Sequence, residues 1–233
     1  MKSQYLYLLI VSLSILGPLL ASFYSKAPFY KTWKFLAVAI VIPGALFVIW
    51  DEIFTRLEIW GFNDKYVTGI YIGSLPLEEI MFFICIPYAC VFIYFVLNYV
   101  VEKDYVFPHH ELLSFVLIIV LLISGIYNID KAYTSVTFIL LALYLAYLTL
   151  QVRPRYMGRF YFSFGVVLIP FFIVNGILTG SFIEDEVVWY NDTANLGFRL
   201  GTIPIEDVFY AMLLLLLNIS VYEKLLQRYG RKR

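Results

Sequence analysis

Charged side chains are scarce in this sequence, and neither sign is in excess. Asp, Glu, Lys and Arg make up 15% of the 233 residues, and 17 basic side chains balance 17 acidic ones. A chain without a basic excess lacks the electrostatic footprint of a nucleic-acid-binding protein, so we expect no nucleic-acid partner. Hydrophobic residues make up 62% of the chain, well above the roughly 45–50% of soluble domains. This excess predicts an integral membrane protein.

Metal-binding and nucleotide-binding patterns are also missing. The two cysteines, Cys85 and Cys90, lie about 140° apart around a helix, which suits neither an intrahelical disulfide nor a metal pair. His109, His110 and Glu111 are adjacent, so their side chains diverge and an interfacial loop is the better interpretation. The G-x-G-x-x-G fingerprint of a dinucleotide site is absent. We therefore expect no metal and no nucleotide cofactor.

Seven apolar segments are long enough to cross about 30 Å of hydrocarbon. They occupy residues 4–24, 33–50, 76–100, 112–129, 132–150, 159–179 and 204–222. The sequence predicts an all-α polytopic membrane protein with about seven transmembrane helices. A signal peptide is the alternative for the first segment, but Gly17-Pro18 and Phe23-Tyr24 make a poor cleavage site.

One motif occurs twice, 128 residues apart. The pattern N-D-x4-G-x3-G-x2-P-x-E-[ED] runs from Asn63 to Glu79 and from Asn191 to Asp207, and each copy opens an apolar segment. Proline and an acid are common in the first turn of any helix, but helix capping requires neither the shared glycines nor the Asn-Asp pair. The duplication therefore indicates a repeat that carries a common chemistry.

The segments follow the same repeat. Segments one to three resemble segments five to seven, Pro43 is matched by Pro170 at nearly the same offset, and segment four has no partner. Because the odd helix restores the direction of the chain, we predict two parallel three-helix repeats. The first covers 1–100, a linker with the fourth helix covers 101–130, the second repeat covers 131–226, and a basic tail covers 227–233. Parallel repeats put Glu78 and Glu206 at one depth, where both could line a cavity between the repeats.

Basic residues are unevenly distributed across the membrane. Five Lys and Arg residues lie on the side of the amino terminus and twelve on the opposite side. The positive-inside rule then predicts a multi-pass protein of the cell membrane with its amino terminus outside and its carboxyl terminus in the cytoplasm.

The paired acids indicate the chemistry. Consecutive residues of a helix point about 100° apart, so we expect one member of each pair to face the cavity. An acid kept neutral by an apolar cavity, among aromatic rings that favour cations, suits protonation of an alkene and guidance of the carbocation. Glu78 and Glu206 each have an aromatic residue, Phe82 or Tyr210, one turn further along the helix. We expect Glu78 or Glu206 to supply the proton and the other motif acids to act as base or relay, and the sequence leaves open which carboxylate is the acid.

Three other classes fit less well. A proton-coupled transporter built from parallel repeats also uses intramembrane acids, but here the acids lie at helix starts; it remains the alternative. A retinal protein needs a lysine within the last segment, which has none before Lys224. A prenyltransferase needs acidic clusters for Mg²⁺, and the acidic run at 184–186 has no counterpart in the first half.

At these residues the chain resembles the membrane lycopene cyclases of the heterodimeric type, with both halves fused in one polypeptide. The paired P-x-E-[ED] motifs, the W-x-F-N-D stretch from Trp60 to Asp64 and the two three-helix halves carry the resemblance, which runs from about residue 3 to 225 apart from segment four. It implies an isomerase that converts the linear ψ ends of lycopene to β rings in carotenoid biosynthesis.

The resemblance also implies partners and site residues. The partners are lycopene or a related linear carotenoid and the lipid bilayer, and association with other carotenoid enzymes or with a second copy stays open, as does a β, ε or γ ring. By the family's motif, the candidate acids and bases are Glu78, Glu79, Glu206 and Asp207. The candidate supporting residues are Asp51, Trp60, Asn63, Phe82, Asn175, Asn191, Arg199 and Tyr210; Asn175 stands where many second halves have an acid.

Overall fold

Seven long helices dominate the computed structural model, which describes residues 3–230. They are α1 (Leu6–Ala21), α2 (Trp33–Arg56), α3 (Leu77–Val100), α4 (His110–Tyr127), α5 (Ala132–Tyr147), α6 (Met157–Leu178) and α7 (Ile205–Leu225). With the short helical turns that extend some of them, all seven are long and apolar enough to cross a membrane. The prediction of an all-α polytopic membrane fold is confirmed. Lys2 and residues 231–233 of the predicted basic tail lie outside the described residues.

Helix α2 continues to Arg56, past the predicted end of the second segment at residue 50. Asp51 therefore lies within the helix, not after it. Apolar composition marks only the part of a helix that crosses the membrane. The helix itself can continue through polar residues that form hydrogen bonds with one another. Here the Arg56 Nε donates to Glu52 Oε1, one turn earlier, at 2.6 Å.

The two halves interlock around a central pair of helices, α3 and α7. Within each half the first helix packs on the third, α1 on α3 and α5 on α7. The second helix of each half also packs on the third helix of the other half, α2 on α7 and α6 on α3, while α4 packs mainly on α5. A cavity between the halves is therefore enclosed by helices of both.

The outward faces of the helices are as apolar as the core. Leu13, Val41, Ile123 and Ile169 are each more than half exposed. Large exposed apolar surfaces are rare on soluble monomers, and here they encircle the bundle, as the hydrocarbon region of a bilayer requires.

Short strands cover the amino-terminal ends of α3 and α7. They are β1 (Trp60–Phe62), β2 (Tyr71–Ile72), β3 (Leu75–Pro76), β4 (Val188–Tyr190), β5 (Arg199–Leu200) and β6 (Ile203–Pro204). Strand β1 pairs antiparallel with β4, with Trp60 opposite Tyr190, so this pair joins the two halves. Hairpins β2–β3 and β5–β6 lead directly into α3 and α7. We call this strand layer the cap.

The glycines of the repeated motif have a backbone explanation. Gly73 and Gly201 each have a φ of 67° and stand at the first position of the two-residue turns in the hairpins. Two-residue hairpin turns with a positive φ at that position are type II′, which glycine favours. Gly69 and Gly197 also have positive φ, at 81° and 70°. The motif glycines therefore shape the cap.

The repeated asparagines hold the two halves of the cap together. The Asn63 amide donates to the carbonyl of Glu186 at 3.2 Å, and the Asn191 amide donates to the carbonyl of Glu58 at 3.3 Å. Each bond crosses from one half of the chain to the other. These two supporting residues thus act structurally in the cap and do not line the cavity.

Candidate active site

A cavity of about 330 Å³ lies beneath the cap, between α1, α3, α6 and α7. Its walls are largely apolar, but three carboxyl groups from both halves line it, together with two amides and four phenols. These acids, amides and phenols are Asp51, Glu79, Asp207, Asn175, Asn218, Tyr7, Tyr133, Tyr190 and Tyr210. Acidic side chains buried in an apolar cavity of a membrane protein make this cavity the candidate functional site.

Two of the carboxyl groups, those of Asp51 and Glu79, interact with each other. They lie within hydrogen-bonding reach, and a hydrogen bond between two carboxyl groups needs a proton on one of them. The Tyr7 hydroxyl also donates to Glu79, and the Tyr210 hydroxyl donates to Asp51 at 3.2 Å. This arrangement makes the Asp51–Glu79 pair a candidate to hold one shared proton.

The third carboxyl group, that of Asp207, is surrounded by donors. The hydroxyls of Tyr133 and Tyr190 donate to it at 2.6 Å and 2.9 Å, and the Asn175 amide donates at 3.1 Å. Burial raises the pKa of Tyr190 well above its usual range, and the nearby Asp207 charge adds to the effect, so this phenol stays protonated and available as a donor. Each of these donors stabilises the anionic form of Asp207 against the opposing cost of burial.

The first acid of each motif does not line the cavity, contrary to the expectation for Glu78 and Glu206. Both are fully buried and point towards the cap. The Thr68 backbone N–H donates to Glu78 Oε1 at 2.8 Å, and the Leu196 backbone N–H donates to Glu206 Oε1 at the same distance. Glu206 also accepts from the Thr134 hydroxyl at 2.6 Å. The direction of each hairpin decides which of two neighbouring acids points inward, and that is Glu79 and Asp207.

Aromatic rings enclose the acids. Trp60 is buried and lines the cavity with Phe82. The rings of Trp60 and Tyr133 meet edge to face at a centroid distance of 5.0 Å, and Tyr133 stacks on Tyr190 at 5.9 Å. Aromatic faces attract cations, so the cavity combines buried carboxyl groups with surfaces able to stabilise positive charge.

Arg199 belongs to the cap and does not line the cavity. Its guanidinium donates to Asp192 at 2.6 Å and to the carbonyl of Thr202 at 2.9 Å. The Arg199 hydrogen bond holds the pKa of Asp192 below its usual range. Tyr71 and Asp64 make the corresponding contact in the first half at 2.5 Å, so the acid of each Asn-Asp pair braces its hairpin.

Of the four cavity tyrosines, the sequence indicated Tyr210 but not Tyr7, Tyr133 or Tyr190. Tyr7 and Tyr133 lie near the start of the first helix of each half and make equivalent contacts, but they are 126 positions apart, not the 128 of the motif. Aromatic residues are common in membrane segments, so their count did not distinguish them. The one available signal was at Tyr190, which directly precedes Asn191 at the start of the second copy of the motif.

The fold and the cavity define a class, that of polytopic membrane proteins with a carboxyl site shared between two repeats. Comparison with known protein families identifies the family within this class. A family model described as lycopene cyclase matches residues 4–97 and 130–225, and the chain belongs to this family. It is a lycopene cyclase, a membrane enzyme of carotenoid biosynthesis, with the two family regions fused and α4 between them. No match was found among curated proteins or among solved structures.

Proposed function

We propose that this enzyme converts the ψ ends of lycopene to β rings by acid catalysis at the cavity. The observation that carries the proposal is the convergence of Asp51, Glu79 and Asp207 on an apolar, aromatic-lined space. Cyclisation of a hydrocarbon needs a proton donor, surroundings that stabilise a cation, and a base, and it needs no change in oxidation state. The carboxyl groups and aromatic rings of the cavity support a candidate for each of these three roles.

The proposed reaction begins with proton transfer from the Asp51–Glu79 pair to C2 of the terminal double bond. Positive charge then develops at C1, and the C5=C6 π electrons attack C1 to form the new C1–C6 bond. The charge moves to C5, and loss of the C6 proton restores the C5=C6 double bond and completes the β ring. One proton enters and one leaves, so the reaction is an isomerisation.

Asp207 is the proposed stabilising anion and base. Its three donors favour a negative charge, and a buried negative charge close to a carbocation stabilises the transition state more than it would in water. Asn175 supports this division of roles, because it places an amide donor beside Asp207, whereas the other half places the carboxyl of Asp51 beside Glu79.

Glu78 and Glu206 are the proposed anchors of the cap. Each holds a backbone N–H located ten residues earlier in the chain, at the loop that enters the hairpin. Removal of either carboxyl group is expected to loosen the cover over the cavity without removing the reacting acid.

The proposed orientation puts the cap on the outer side of the membrane. The distribution of basic residues, five on the cap side and twelve on the other, supports this orientation through the positive-inside rule. Fusion of a reporter that is active only in the cytoplasm to the carboxyl terminus tests it; an inactive reporter on a well-expressed protein contradicts it.

The function is tested with purified protein and lycopene in D₂O. A carboxyl proton exchanges with water, so we expect a cyclic product with deuterium at C2 of each new ring, formed without added flavin or nicotinamide. Ring type is read from the product by nuclear magnetic resonance. Product without deuterium at C2, or activity only after a reduced cofactor is added, contradicts the mechanism, and an ε or γ ring contradicts the β assignment.

A further inference from the structure

The two halves form two related openings on the lipid-facing surface of the protein. The first is the cavity, whose side wall is formed by α1 and α6. The second is an apolar groove of about 510 Å³ formed by α2, α5 and α7. Because α1 corresponds to α5 and α6 corresponds to α2, the groove is the repeat counterpart of the cavity's side wall.

The first helices of the halves match position by position. Tyr7 and Tyr133 are equivalent, since each donates to the second acid of its own half. Seven positions after them (14 − 7 and 140 − 133) stand Ser14, which lines the cavity, and Leu140, which lines the groove. Leu140, the larger side chain of this pair, therefore lies on the side of the groove.

The next turn repeats this difference. Pro18 lines the cavity, and Tyr144, its counterpart eleven positions after the equivalent tyrosine (18 − 7 and 144 − 133), lines the groove. At both positions of the first helix, the second half has the bulkier residue.

The second helices of the halves, α2 and α6, also place the bulkier residue on the side of the groove. Asn175 and Asp51 are equivalent, because each lies beside the second acid of a motif. The residue before each is Val174, which lines the cavity, and Trp50, which lines the groove. On the groove side the bulky Trp50 fills the space at this position, whereas on the cavity side the smaller Val174 leaves it open.

Trp50 separates the groove from the carboxyl groups of the cavity. Its ring meets the ring of Tyr210 edge to face at 5.1 Å, and Phe47 packs on the same tyrosine at 4.8 Å. Tyr210 lines the cavity on its other side. These three rings form a wall between the groove and the site, which we call the aromatic wall.

The side wall between α1 and α6 faces lipid and has no such barrier. Pro170 lines the cavity although it is exposed, and the neighbouring Leu13 and Ile169 are 57% and 66% exposed. Ser14 lies two turns along α1 from Tyr7, so this opening is roughly 10 Å from the acids along the helix axis. We call it the window.

We propose that the polyene chain of the substrate passes through the window between Ser14 and Val174, so that one ψ end reaches the carboxyl groups while the rest of the chain lies in the bilayer. The proposal rests on the proposed function, because it takes a linear carotenoid as the ligand. The aromatic wall excludes the chain from the counterpart groove, so one end of the substrate reacts at a time.

Matched variants on the two sides test the window. Ser14 is changed to Ala, Leu and Trp, and Val174 to Trp, while Leu140→Trp is the control at the counterpart position. Each purified variant is assayed for lycopene retained in lipid nanodiscs, from its visible absorbance, and for cyclisation rate. Thermal unfolding in detergent identifies variants that fail to fold.

Ser14→Trp and Val174→Trp place a bulky ring in the window, so each should lower retained lycopene and the cyclisation rate by about tenfold or more, which corresponds to about 1.4 kcal/mol. The Ser14 series should decline from Ala through Leu to Trp, which keeps the test decisive if the Trp variant does not fold. Leu140→Trp should retain lycopene and cyclise it as the wild type does.

Two outcomes overturn the proposal: a flat Ser14 series, or an equal loss in Leu140→Trp. Failure of the proposed function is seen separately. A wild-type protein that makes no cyclic product contradicts the function, whereas the retention assay still reports on the window.

Discussion

Exchange of one carboxyl group for an amide at two adjacent positions of α3 separates the proposed acid from the proposed anchor. Glu79→Gln keeps the shape and removes the carboxyl proton that the Asp51–Glu79 pair is proposed to share. Glu78→Gln makes the same chemical change one residue earlier, at the carboxyl that accepts from Thr68. The two variants have equal composition, so a general loss of charge affects both alike.

The expected magnitudes differ widely. Loss of a general acid lowers turnover by about 10²–10⁴-fold, which corresponds to about 2.7–5.5 kcal/mol in the barrier. The Gln side chain at position 78 still accepts the Thr68 N–H, and a neutral hydrogen bond contributes about 1 kcal/mol where one to a charged group contributes about 1.5–3 kcal/mol. Glu78→Gln should therefore lower the melting temperature slightly and keep most of the turnover per folded molecule.

The assay is lycopene consumption by equal amounts of folded protein in nanodiscs, with thermal unfolding measured in parallel. Asp207→Asn and Glu206→Gln repeat the comparison in the second half. Full activity in Glu79→Gln together with a dead but folded Glu78→Gln would refute the assignment and return the role of acid to the first residue of the motif.

Three further predictions concern the supports of the site. Tyr133→Phe removes one donor from the buried Asp207, and a lost hydrogen bond to a buried charged group costs about 1–3 kcal/mol; we expect a roughly tenfold or greater fall in turnover in a folded protein, and unchanged kinetics would show that this contact is not used. Gly201→Ala places a side chain at a φ of 67°, a conformation that costs about 1–2 kcal/mol for other residues, so the melting temperature should fall; an equal or higher value would contradict the type II′ turn. Because Arg199 lowers the pKa of Asp192 in the folded state, the stability from this contact is present above the unfolded pKa of about 3.9 and is lost as pH falls through the lower folded pKa. Melting curves of Asp192→Asn and wild type should therefore converge in acid, and a gap that widens there would have the wrong sign.

Much of the cap and the repeat could be read from the sequence. The duplicated glycines, prolines and acids are local signals, because a positive φ in a two-residue turn and a helix start each depend on a few neighbouring residues. Apolar segment length was enough to predict seven helices, since the hydrocarbon core fixes the minimum length. The same signal ended the second segment too early, because hydropathy does not register the polar last turn of α2.

By itself the sequence determined that this chain is a polytopic membrane protein made of two motif-bearing halves, because composition, segment length and a repeated motif are properties of the linear chain. Only the tertiary structure decided that Glu79 and Asp207 point into the cavity while Glu78 and Glu206 hold the cap, because neighbouring residues of a helix differ by about 100° in direction and packing fixes which direction is inward. It also decided that Tyr7, Tyr133 and Asn175 reach the acids, and that Trp50 fills a passage that Val174 leaves open. These contacts join residues far apart in the chain, and the interlocking of the two halves brings them together.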